Sequence, residues 1–276
     1  MSEEELKSMR HSLAHIMAQA IQHLWPQAKF GVGPAIDNGF YYDIYLDNGT
    51  ISEADLPKIE EEMRKIVADN YPFERRDVSV EEAIDWAIKG DQTFKMELLN
   101  DLKRSGTTVA SELAGEKMGS VSDGDSKVET VSLYSQGDYT DLCRGGHVDS
   151  TGKVGAFKLT KTAGAYWRGN ENNPQMQRIY GVAFATQEEL DEYLNRLEIA
   201  KQRDHRKLGK ELDLYTTSPL VGIGLPLFTP RGTILRDIVA RYSNQLRQKF
   251  GFEKVWTPHI TKKDLYETSG HWAKFG

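Results

Sequence analysis

One cysteine in 276 residues stands four positions before a histidine, in the stretch Asp141-Leu142-Cys143-Arg144-Gly145-Gly146-His147, and a second pair with the same spacing, His11 and His15, lies near the start of the chain. Two such pairs, far apart in sequence, either build one polar site or coincide by accident. The helix that carries the first pair favours the site. At about 100° per residue, Met9, Leu13, Ile16, Met17, Ala20 and Leu24 share one stripe. His11 and His15 point roughly opposite, so they are not expected to be core residues of the main apolar face.

The hydrophobic fraction of 39% and charged fraction of 28% are those of a globular protein with a real core. A net charge of −6 argues against a protein that coats nucleic acid, although a local basic patch can still grip a phosphate backbone. No apolar run approaches the roughly 18 residues that span a bilayer, and Met-Ser-Glu-Glu-Glu is not a signal peptide; a cytoplasmic protein is expected. One cysteine excludes an intramolecular disulfide and leaves metal binding, catalysis or burial for Cys143.

The first helix runs from about Glu3 to Trp25 and stops at Pro26. Gly39 to Leu46 is aromatic and alternating, as a strand is. Ser52 with Asp55 and Ser79 with Glu82 pattern as helix caps, with a strand between them around Phe73 to Val78. Phe94 to Leu102 suits another helix with Lys95 at its beginning. Ser105 to Asp125 is expected to be an exposed insertion, and Val128 to Tyr134 a strand. Phe157-Lys158-Leu159 and Arg178 to Phe184 are expected to be strands flanking a polar loop, Gly164 to Pro174. In that loop Trp167 and Arg168 could stack on a base or simply anchor the chain. Thr186 and Glu189 open a helix that continues through the basic run Lys201 to Lys210. After Asp213 come an irregular entrance, a long helix from about Gly232 to Phe250 and a strand from Phe252 to Thr257.

Paired histidines at i and i+4 can hold a metal or share a proton-transfer task. The zincin motif needs Glu directly after its first histidine, and Ser12 follows His11, so a metalloprotease is excluded. His11, His15, Cys143 and His147 together suit zinc, while Asp141 and Lys95 supply an acid–base or electrostatic pair. The residues alone leave a second alternative open, in which Cys143 is buried, Asp141 caps a turn and the histidines are solvated. Gly31-x-Gly33 and Gly222-x-Gly224 lack the full dinucleotide-binding pattern and are taken as turns.

Longer strings then add up. Arg10-His11-Ser12-x-x-His15, the run from Gly33-Pro34 through Asp37-Asn38-Gly39-Phe40-Tyr41-Tyr42-Asp43, Asp141-x-Cys143-Arg144-Gly145-x-His147, Lys161 to Gly169, Gln177 to Gly181 and Arg203 to Lys210 closely resemble threonyl-tRNA synthetases. The resemblance implies an α+β chain in three parts. Residues 1–185 would be an editing domain of mixed helices and antiparallel sheet, and 186–212 a linker helix. Residues 213–276 would be an incomplete class II α/β segment through motif 1, with Gly146 in the place of a more usual proline.

Serine keeps the hydroxyl of threonine and lacks one methyl, so exclusion by binding is limited to roughly 1–3 kcal/mol and a second, hydrolytic sieve is needed. The resemblance implies hydrolysis of mischarged seryl-tRNA(Thr) at His11, His15, Lys95, Asp141, Cys143 and His147, with Tyr42 and Arg144 binding substrate. Lys95 and His11 are the first choices for activating water or the leaving hydroxyl. No cofactor is expected for editing; His11, His15, Cys143 and His147 could instead hold zinc, and the full-length enzyme would use ATP and zinc. The implied partners are tRNA(Thr) and, through motif 1, a second copy of the chain, with neither membrane nor DNA. The alternatives are a non-catalytic tRNA-binding, dimerising fragment and a freestanding alanyl-type trans-editing deacylase. Because class II motifs 2 and 3 are not found in the sequence, threonine-dependent pyrophosphate exchange is expected at background only; exchange above background would contradict that.

Overall fold

Ser2 caps the first helix, α1 (Glu3–Leu24), accepting from the Glu5 amide while the Glu5 carboxylate takes the Ser2 amide. Three glutamates in its first turn complement the helix dipole. The computed structural model describes residues 1–105, 128–222 and 224–275. Almost all of the insertion expected between residues 105 and 125 lies outside them. The chain divides into two compact units, Met1–Arg196 and Leu197–Gly276.

In the first unit, α1 is followed by β1 (Lys29–Phe30), β2 (Ala35–Ile36) and β3 (Gly39–Tyr45). Next come α2 (Leu56–Asp69), β4 (Glu74–Ser79), α3 (Val80–Lys89) and α4 (Thr93–Ser105). The strands β5 (Thr130–Gln136), β6 (Tyr139–Leu142), β7 (Ala156–Tyr166) and β8 (Gln175–Phe184) follow, and then α5 (Gln187–Gln202), within which the first unit ends at Arg196. One antiparallel sheet has the order β1-β3-β8-β7, with β2 paired to β3; a second has the order β4-β5-β6. The unit is therefore α+β, with mixed helices and antiparallel sheets, as expected.

Alternation decides which side of the large sheet is dry. Phe40, Tyr42 and Ile44 of β3 and Ile179 and Ala183 of β8 are buried against Leu13, Ile16 and Met17 of α1 and Ile59, Met63 and Ile66 of α2. The face opposite that stripe on α1 is not solvated, so the alternative of solvated histidines does not hold. Ser12, His15 and Gln19 are at most 2% exposed, because the β5–β6 hairpin and the chain after it cover that side. Two further expectations change here. The polar loop expected from Gly164 to Pro174 is shorter, since β7 continues to Tyr166 paired with β8, past a register shift between Leu159 and Lys161. Within that loop Trp167 is an anchor, buried with its indole N–H donating to Glu97 at 2.8 Å.

In the second unit, Asp204 breaks the expected continuous basic helix. Its carboxylate caps α6 (His205–Glu211), accepting from the Arg206 amide at 2.8 Å, and so begins a new helix instead of extending the old one. Strands β9 (Tyr215–Thr216) and β10 (Leu227–Phe228) pair antiparallel. Thr229 then caps α7 (Pro230–Lys249), on which Leu235, Ile238, Val239, Tyr242 and Leu246 are exposed. The expected strand from Phe252 to Thr257 does not form. Its residues are exposed and, among the described residues, no neighbouring strand supplies the ladder that an extended segment needs. Short helices α8 (Lys263–Thr268) and α9 (His271–Phe275) follow.

The tightest backbone approach in the large sheet is at Gly39, opposite Val182. A Cβ there would run into the Gly181 carbonyl, which the sheet cannot move aside. Gly39→Ala is expected to cost about 1–3 kcal/mol in urea unfolding; a midpoint unchanged from the parent would show that β3 and β8 are not packed this closely.

Candidate functional site

The chemical groups of the site come from several elements of the first unit. His11, Ser12 and His15 project from the side of α1 away from the core stripe, and Tyr42 from the buried face of β3. Lys95 lies in the first turn of α4, Asp141 on the inward face of β6, and Cys143 and His147 in the chain that leaves β6. Bringing these together places groups 132 residues apart within contact: Cys143 Sγ is 3.4 Å from His11 Nε2 and 3.2 Å from His147 Nε2. Of the two alternatives in the sequence, the single polar site is the one the fold builds.

The turn from Cys143 to His147 depends on Gly145 and Gly146, at φ of 105° and 82°. Both lie where L side chains are disfavoured. Proline, fixed near φ −65°, cannot take the conformation of Gly146, so this loop follows a path that a chain with proline at that position could not. The Gly145 amide donates to Cys143 Sγ at 3.3 Å.

Two electrostatic regimes meet here. On one side, Lys95 Nζ lies 2.5 Å from Asp141 Oδ1 and donates to the Tyr42 hydroxyl at 3.0 Å. Tyr42 in turn donates to Asp141 Oδ2, and Tyr139 reaches the Tyr42 oxygen at 3.4 Å. All four side chains are buried. Burial, with Asp141 adding to it, pushes the Tyr42 and Tyr139 hydroxyls well above the usual phenol range, so both remain protonated donors.

On the other side the groups are neutral. Burial first, then His11 and Lys95, hold His15 well below the ordinary histidine range. Burial and the neighbouring histidines do the same to His147. Burial also pushes the Cys143 thiol up to about 12. His15 Nε2 stands 3.8 Å from Asp141 Oδ2, where the two halves touch.

The ligand atoms of His11, His15, Cys143 and His147 all lie within 4.8 Å of one another. These four residues could therefore hold a metal ion. The donor set suits zinc, and the turn and helix already point all four inward. Above the cluster opens a cavity of about 910 Å³. His11, His15, Lys95, Asp141 and Cys143 line it, together with Lys7, Tyr41, Arg144, Arg168 and Arg178. Arg144, expected to bind substrate, is exposed at this wall. Arg178 is paired bidentately with Asp43 at 2.6 and 2.8 Å, and Arg168 is paired with Asp101 at 2.7 Å.

Three neighbours escaped the reading of the sequence: Ser12, Tyr139 and Gln136. Ser12 carried a signal, standing between the two histidines on the face they share. Tyr139 and Gln136 are a cross-strand pair of the β5–β6 hairpin, and β6 was not recognised because four residues are too few to show a period.

Residues 131–180 match the family described as the Threonyl and Alanyl tRNA synthetase second additional domain. Over 99% of its length the chain is 49% identical to the threonine–tRNA ligase of Geobacillus sp. (strain WCH70), covering 38% of that protein. It is 49% identical to threonine–tRNA ligase 1 of Bacillus subtilis (strain 168) over 99% of the chain and 39% of the relative. The threonine–tRNA ligase of Dehalococcoides mccartyi (strain CBDB1) is 47% identical over 98% of the chain and 42% of the relative. Over nearly all of its length the chain is similar to these threonine–tRNA ligases, and it spans about two fifths of their length. Among the described residues no helix is long and apolar enough to cross a membrane.

The neutral histidines set a pH dependence. In the unfolded chain His15 and His147 take up protons as pH falls through the ordinary value of 6.5, whereas in the fold they resist protonation. The unfolded state then binds more protons, and stability falls as pH drops below about 6.5. The free energy of urea unfolding is expected to decline between pH 7.5 and 5, with a shallower decline in His15→Gln; identical slopes for the two proteins would refute the assignment.

Proposed function

We propose that this chain hydrolyses the ester of mischarged seryl-tRNA(Thr). The observation that carries the reading is the juxtaposition of the buried Lys95–Asp141–Tyr42 group and the His11–His15–Cys143–His147 cluster beneath one cavity, which His11, His15, Lys95, Asp141 and Cys143 line. A cavity of about 910 Å³ is of the size that takes a nucleoside-scale ligand, here the terminal adenosine with its aminoacyl group. The cations on its wall suit the phosphates beyond.

In the reaction, water adds to the ester carbonyl and gives its proton to His11. Lys95, held in place by Asp141 and Tyr42, stabilises the oxyanion and supplies the proton that the departing ribose oxygen needs. The carbon–oxygen bond breaks, leaving serine and a tRNA with a free terminal hydroxyl. Lys95 then recovers its proton from His11 through solvent, so no proton is gained or lost by the protein. Arg144 at the cavity wall contacts the nucleotide.

The four cluster residues are also a zinc set, which when loaded would supply a Lewis acid. However, four protein ligands close a tetrahedral shell and leave no position for the water that a catalytic metal activates. We therefore assign the hydrolysis to side chains, without a cofactor. The relatives' printed names support tRNA(Thr) as the partner; a cytoplasmic setting without a DNA partner, and residues 213–276 as part of a class II ligase domain that pairs two chains, belong to the same proposal. Aminoacylation with ATP, and zinc for it, would belong to that complete domain.

The test is deacylation of seryl-tRNA(Thr) with threonyl-tRNA(Thr) as the control. Activity is expected to survive chelation, and Lys95→Ala and His11→Ala are each expected to lower kcat/KM at least roughly tenfold, about 1.4 kcal/mol of transition-state stabilisation. Loss of activity with chelator and recovery with zinc would make the four residues metal ligands instead.

A further inference from the structure

Ser12 lies on α1 beside the cluster, fully buried, and three groups converge on its hydroxyl oxygen. The Ser8 carbonyl is 2.9 Å away, the Val148 amide 3.0 Å and His147 Nδ1 3.3 Å. A serine hydroxyl has one proton to give and two lone pairs with which to accept. The Ser8 carbonyl can only accept, and it is the nearer of the two acceptors open to the hydroxyl proton. The Val148 amide can only donate, so it occupies one lone pair. The second lone pair faces His147 Nδ1, and that contact is a hydrogen bond only if the imidazole brings the proton.

A neutral imidazole has one N–H, so a proton on Nδ1 leaves Nε2 bare, and Nε2 faces Cys143 Sγ at 3.2 Å. The thiol proton then has a clear destination. The other acceptor near Cys143, the Gly145 carbonyl, is 4.0 Å away. With its proton directed at His147, the sulfur is an acceptor towards the Gly145 amide and towards His11 Nε2, which must carry the proton of that ring. The sequence of donors is thus His11 to Cys143, Cys143 to His147, His147 to Ser12 and Ser12 to the Ser8 carbonyl. Rotation of the His147 ring is opposed by Phe73, stacked on it at 4.6 Å with an interplanar angle of 1°.

We infer that Ser12 is a positioning residue that fixes the tautomer of His147 and, through Cys143, the direction of a hydrogen-bond chain ending at His11, so that the basic nitrogen of His11 is Nδ1. The role given to His11 rests on the hydrolytic reading above, whereas the tautomers do not. A bound metal would need His147 Nε2 bare as well, but it would take the thiol proton away and break the chain at Cys143.

The test uses the whole chain, labelled with ¹⁵N-histidine and treated with chelator, with each ring assigned by its loss in His11→Gln and His147→Gln. His147 is expected to carry its proton on Nδ1 and His11 on Nε2. In Ser12→Ala, His147 is expected to lose that preference and kcat for seryl-tRNA(Thr) to fall about tenfold, with KM within about twofold. Ser12→Thr, which keeps the hydroxyl, restores the tautomer and most of the rate. A parent His147 protonated on Nε2, or a Ser12→Ala variant with the parent tautomer, overturns the inference. Should Ser12→Ala not fold, the parent spectrum decides alone. If the parent has the stated tautomers and no deacylation, the hydrolytic reading fails and the positioning by Ser12 stands.

Discussion

The ion pair between Lys95 and Asp141 is the interaction on which the site's architecture depends. It joins α4 to β6 and, through Tyr42, both of them to β3, so one carboxylate ties together two separate sheets and a helix. Such a pair is poor value as a source of stability. Desolvating two ions offsets most of their attraction, and apolar replacements are often as stable, yet removing one partner alone typically costs about 3–5 kcal/mol. The pair therefore locks the arrangement without contributing much net stability, and under the proposed hydrolysis it serves to hold a fixed cation in a dry site.

Beside that cation the same burial has the opposite effect on the histidines and the thiol. For His15, His147 and Cys143 burial outweighs the charges nearby, so each of these three stays neutral. Neutral imidazoles and a neutral thiol can each both donate and accept, which is what lets them form a chain with a direction. A carboxylate and an ammonium, with one sense of hydrogen bonding apiece, could not. The two halves thus divide the work between a fixed charge and a set of groups able to pass protons.

Much of this was legible in the sequence. Capping pairs at Ser52, Ser79 and Thr186 marked helix starts that the structure has, and alternation marked β3, β5 and β8. His11, His15, Lys95, Asp141, Cys143 and His147 were chosen by residue type, spacing and resemblance, and the fold gathers all six. What was not legible depended on tertiary contact. The far side of α1 carries histidines, Ser12 and Gln19 and so looks like a wet face; only the β5–β6 hairpin makes it dry. The strand expected from Phe252 to Thr257 shows the converse, since β-branched and aromatic residues form a strand only where a neighbour offers a ladder. Ser12 could be placed beside the site from its position, but its three bonds required coordinates.

The site draws on residues 11, 42, 95, 141, 143 and 147, contributed by four separate stretches of chain, and this has a consequence for how it comes into being. No helix or hairpin of the unit holds enough of it to form alone, so its assembly is a late, high-contact-order event that waits on closure of loops tens of residues long. A partly opened molecule, with the β5–β6 hairpin lifted from α1, would separate His11 from Cys143 before the core under α1 was disturbed. The site would then open at a lower free energy than the fold as a whole. Amide exchange along Asp141 to Val148 would record that opening independently of global unfolding.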